Sequence, residues 1–111
     1  MLTSVNQLTT VLKSTGLKVY RDKATSTASY PFIVYSFVSR GKKYASGRVY
    51  KRSSEYQISL FTTGTEKDLK VIEQSFESNN IRYLPFSSLQ GDENDDTVTN
   101  FYTYVKVVED A

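Results

Sequence analysis

The sequence predicts an α+β domain: an antiparallel β-sheet with two helices packed on one face and a long hairpin arm projecting from it. Three observations predict this. Two segments, near 3–14 and 65–79, repeat apolar residues at spacings of three and four. Between and after them lie stretches of β-branched and aromatic residues, several of them alternating with period two. The segment order is helix, strand, two strands joined by a basic connection, helix, two strands. That order places hairpins between the helices, which favours an antiparallel sheet with both helices on one side. A length of 111 residues fits a single domain over 1–111.

Each element has a local reason. Leu2, Val5, Leu8, Val11 and Leu12 make one apolar stripe, Thr3 or Ser4 can cap its start, and Gly16 stands where a left-handed cap ends a helix. Residues 17–20 alternate as a short strand, and 22–29 form a polar connection. Pro31 disfavours a helical Tyr30 and suits the first position of a strand. The run 32–38 is β-branched and aromatic almost throughout, so a strand with both faces at least partly covered is expected. Residues 39–48 are polar and basic with two glycines, and are expected to form a long loop joining two strands as an extended hairpin arm.

In the next strand region, 49–62, Tyr56, Ile58 and Leu60 alternate with Gln57 and Ser59, while 51–55 is too polar to be buried. Thr63, Gly64 and Thr65 break that strand. Thr65 and Asp68 then resemble a capping box, and Leu69, Ile72 and Phe76 mark the apolar face of a helix of about 13–15 residues. Asn79 and Asn80 end it. Residues 81–86 alternate as a short strand, 87–96 form a polar loop with an acidic cluster, and 97–108 form a long strand. On that last strand Val98, Tyr102 and Tyr104 share a face with Asn100 and Lys106; Thr97, Thr99, Phe101, Thr103, Val105 and Val107 share the other.

Composition excludes several function classes. There is no Cys, so neither a disulfide nor a thiolate site can form. There is no His, which removes most nucleophilic triads and most zinc sites. Gly41 and Gly47 are six apart with no Lys-Ser or Lys-Thr after the second, so no phosphate-binding P-loop is present. Glu66, Asp68, Glu73 and Glu77 fall mainly on the solvated side of the second helix and read as surface charge patterning rather than an acid–base pair. The chain is therefore read as a non-enzyme without a cofactor. Residues 1–7 carry no basic segment or long apolar run, so no signal peptide is expected, and no stretch approaches the roughly 18 apolar residues of a membrane span.

Charge points to partners. Residues 1–63 carry ten Lys or Arg against two acids, whereas residues 64–111 carry four against ten. The halves thus hold +8 and −6, a division suited to a solvated fold or to opposite faces meeting head to tail. Asp92, Glu93, Asp95 and Asp96 are nearly consecutive and lack the terminal Glu of a calcium loop, so they read as a solvated turn and not a metal site. Arg40, Lys42, Lys43, Arg48, Lys51 and Arg52, interleaved with Tyr44 and Tyr50, form a basic arm. It can reach an acidic neighbouring subunit, stand as a plain hairpin tip, or bind phosphate backbones with Tyr stacked on bases. Protein contact ranks first, because the net charge is only +2 and no named nucleic-acid motif occurs.

These segments together resemble the small tail-terminator, or tail-to-head joining, proteins of long-tailed bacteriophages, the family of the lambda tail terminator. The resemblance runs from the N-terminal helix 3–14 through the Pro-led strand 30–35, the strand 56–62 and the helix carrying Leu69, Ile72 and Phe76. It closes with the acidic loop and the aromatic strand 100–105. The arm is more basic here than in that pattern. The resemblance implies a virion protein of the tail–neck region, assembled in the host cytoplasm. It implies copies that form a ring, hexameric in such proteins, which caps the major tail tube protein and presents a face to the head connector or stopper. DNA would be only passing cargo in the lumen, and no membrane is involved. On this reading arm residues 40–52 contact a neighbouring subunit or the next ring, with the acidic residues 92–96 as one electrostatic partner.

Overall fold

A computed structural model describes residues 2–90 and 97–110. The elements in chain order are α1 (Val5–Lys13), β1 (Lys18–Arg21), β2 (Phe32–Ala45), β3 (Arg48–Thr62), a 3₁₀ turn (Glu66–Leu69), α2 (Lys70–Ser78), β4 (Ser87–Gln90) and β5 (Thr99–Asp110). The strands form a five-stranded sheet in the order β1-β2-β3-β5-β4. The α+β class is as the segment pattern predicts.

The first helix ends where its chemistry says. Ser4 Oγ accepts from the Gln7 N–H over 3.2 Å, and Gly16 adopts φ +84° beyond the last turn. Leu8 and Leu12 are fully buried beneath it. The second helix opens differently from expectation. Thr65 does cap the start, accepting from the Lys67 N–H over 3.4 Å. Asp68, however, does not close a capping box. Its carboxylate accepts from Thr62 Oγ1 over 2.6 Å, and Thr62 Oγ1 in turn accepts from the Gly64 N–H over 3.0 Å. The acid is drawn to the end of β3, and the first turn winds as a tighter 3₁₀ segment before α2 begins.

Register assigns the faces of the sheet. Ile33, Leu60 and Phe101 lie in one cross-strand row, and Tyr35, Ile58 and Thr103 in the next. These rows and Val105 and Val107 form one core with Leu8, Leu12, Leu69, Ile72 and Phe76, so both helices cover the same face. At roughly 25 cal/mol per Å² of apolar area removed from water, this layer is the main favourable term for the fold.

Four expectations are corrected. The sheet is mixed, not wholly antiparallel: β1 pairs parallel with β2, Val19 opposite Ile33, while the other neighbours are antiparallel. Residues 22–31 return the chain to the starting end of the sheet, so β2 runs beside β1 in the same direction. Residues 39–48 are not a long loop. The ladder continues to Ala45 opposite Arg48, closed by a two-residue turn at Ser46 and Gly47, whose φ angles of +52° and +76° are those of a type I′ hairpin. The projecting arm is also redrawn, since β5 flanks β3 as far as Lys51 opposite Asp110, leaving only Arg48–Tyr50 of β3 beyond it.

Finally, residues 81–86 form no ladder, and the strand falls at β4, inside the expected loop. Ile81 is buried and pinned by its N–H to the Phe76 carbonyl over 2.9 Å, and the Leu84 N–H donates to the Tyr104 carbonyl over 3.3 Å. Those anchors hold the segment extended against the core and beside β5, where a single backbone bond does not make a ladder.

Candidate partner-contact surface

The basic residues of the hairpin are positioned by two irregularities. A register shift between Phe37 and Ser39 makes Val38 an extra residue on β2, and a second shift falls between Lys43 and Tyr44. Past the first shift the residues of β2 exchange faces. Arg40 and Lys42 then join the face that carries the helices, while Lys43 joins the open face.

The resulting register sets like charges directly against each other: Lys42 opposite Arg52 and Lys43 opposite Lys51. Directly opposed like charges destabilise an isolated sheet. Arg40, Lys42, Lys43, Tyr44 and Arg48 are exposed, and Lys51 and Arg52 are half-buried. Among the described side chains none of these cations forms an ion pair, although β5 sets Glu109 opposite Arg52 and Asp110, whose side chain lies outside the described residues, opposite Lys51; Arg21 and Asp22 make a pair at 4.0 Å, far along the sheet. Tyr44 is 62% exposed, an apolar ring beside the cations. The side chain of Tyr50 lies outside the described residues, as do Asp92, Glu93, Asp95 and Asp96, so the acidic partner cluster has no position to compare.

The structure also assembles a surface that alternation alone does not reveal. On the face without helices, Phe32 stacks with Tyr30 at 5.2 Å and with Phe61 at 5.3 Å between ring centroids, and Tyr20 meets Phe32 edge-on at 5.8 Å. Tyr102 and Tyr104 form a second edge-on pair at 6.2 Å. Between these groups Asn100 Oδ1 is buried without a hydrogen-bond partner among the described residues. The residues belong to four different segments, and only the register Phe32–Phe61–Asn100 makes them one strip. The nine Tyr and six Phe in the composition are the available sign of it.

A groove of about 1000 Å³ lies between residues 80–84 and the middle of β3 and β5. It is lined by Leu2, Leu84 and Tyr104, with Glu55 as its one carboxylate beside Arg82 and Lys106. Glu55 and Lys106 occupy facing positions on β3 and β5. No three metal-ligating side chains cluster among the described residues, and no helix there is long and apolar enough to cross a membrane.

No family model matches this chain, and neither does any curated protein.

Proposed function

We propose that this chain is a structural subunit of a bacteriophage tail–neck junction, a tail terminator or tail-completion protein. Its copies close into a ring that caps the tail tube and joins it to the head connector. The observation that carries the reading is the pair of like-charged cross-strand positions, Lys42–Arg52 and Lys43–Lys51, in a hairpin without internal ion pairs among the described residues. Such an arrangement costs the isolated subunit stability; β5 sets Glu109 opposite Arg52 and Asp110 opposite Lys51 on the inner side, and an anionic partner is left to relieve Lys42 and Lys43 on the outer side. The division of the chain into +8 and −6 halves supplies opposite charges on copies of one sequence. A heterologous contact of that kind forms a ring when its rotation closes.

The test replaces Arg48, Lys51 and Arg52 together by Gln. Light scattering after size exclusion is expected to show assembly weakened by about tenfold or more, roughly 1.4 kcal/mol per factor of ten, with the difference shrinking as salt rises. Unchanged assembly mass at low salt overturns the hairpin's role. A duplex DNA probe checks the competing use of the same cations. Tight binding that falls steeply with salt would reassign the hairpin to nucleic acid.

A further inference from the structure

Sheet edges need protection, because an unpaired strand presents free N–H and C=O groups to any other strand. Charged side chains, proline or a bulge usually supply it. The two edges here differ. The β1 edge carries Lys18 and Arg21. The β4 edge, Ser-Ser-Leu-Gln, has none of these devices, and all four residues are exposed. Leu89 is 62% exposed at its centre, and Leu84, which runs beside β5 just before it, is 55% exposed.

We infer that β4 takes the β1 strand of a second copy of this chain, extending the sheet from subunit to subunit. The inference rests on reading the chain as a self-assembling subunit, and it names the contact. Four features select this occupant. Both edge strands are four residues long. Their directions suit each other: β4 is antiparallel to β5, β5 to β3 and β3 to β2, while β1 is parallel to β2. A neighbour in the same orientation therefore offers its β1 antiparallel to β4. The charges do not conflict, since β1 carries Lys18 and Arg21 and β4 carries none.

The faces also agree. Leu89 shares a row with Asn100 and Phe61, and Tyr20 shares one with Val34, both on the face without helices. Opposed residues must share a face, which permits Leu89 against Tyr20 of the neighbour and Ser88 against its Arg21. That register covers the exposed leucine with a tyrosine ring and carries the aromatic strip across the junction.

The absence of native cysteine makes the test clean. The variants Arg21→Cys and Ser88→Cys, each in the full chain, are mixed in equal amounts and oxidised with a copper–phenanthroline catalyst. The mixed disulfide dimer is expected to form at least severalfold faster than either homodimer. Leu89→Asp, at a site exposed in the subunit, is expected to lower the assembly mass while leaving the subunit's unfolding midpoint unchanged. Dominant Ser88→Cys homodimers would mean like edges meet and would overturn the inference. Assembly that persists in Leu89→Asp with no mixed dimer overturns it too, leaving the proposed function standing. A chain monomeric at every concentration removes both.

Discussion

At Tyr83 the phenol donates to Glu77 Oε2 over 2.9 Å, while the ring packs at tilted angles against Phe76 and Phe86. Burial, then the hydrogen bond to Glu77, then the charge of Glu73 push its pKa from 10.0 to about 12. The folded state thus favours the neutral phenol. The stability this contributes is complete below pH 10 and is lost as pH rises from 10 through about 12. Urea unfolding at intervals across that window should show the wild type losing stability that Tyr83→Phe keeps. Parallel losses in the two proteins would sever Tyr83 from the effect. The partnership was out of reach of the sequence because α2 and the extended segment 81–86 meet only after the chain turns at Asn80, whose φ is +55°.

At the scale of elements, α2 is held by its buried stripe. Ile72 and Phe76 have no exposed surface, and Phe76 is the largest fully buried side chain among the described residues. Phe76→Ala should cost about 3–5 kcal/mol, measured as a lowered urea midpoint at unchanged slope. Against a total of about 5–15 kcal/mol for a domain, that is a large share. A loss under about 1 kcal/mol would mean the stripe is not core. Both helices were legible because their apolar residues repeat within one turn, and cap residues such as Ser4 act over three or four positions. Strand assignments fared less evenly. Residues 81–86 alternate as well as any strand and run beside β5, yet they bond to it only through the Leu84 N–H among the described residues, and the ladder falls to the polar residues Ser87–Gln90. Periodicity describes a segment's two faces and says nothing about whether a partner is within reach.

For the molecule as a whole, the opposed cations of the β2–β3 hairpin predict a conflict between subunit stability and assembly. Lys43→Glu turns the Lys43–Lys51 position into an opposite-charge pair. The isolated chain should gain about 0.2–1 kcal/mol in urea unfolding while its assembly weakens in light scattering. A variant that is less stable, or one that assembles as before, contradicts the role given to the hairpin. Every cation in this surface was visible in the sequence, as was the uneven charge of the two halves, because composition and order require no fold. Their facing positions were not, since a one-residue bulge at Val38 moves every later side chain of β2 to the other face. The same division holds throughout. Helix stripes, caps, the breaking residues and the missing His and Cys are local properties of the chain and could be read directly. The parallel β1–β2 pairing, the aromatic strip and the exposed β4 edge arise from contacts between residues far apart in sequence, and those are chosen only when hydrophobic burial closes the whole sheet on its helices.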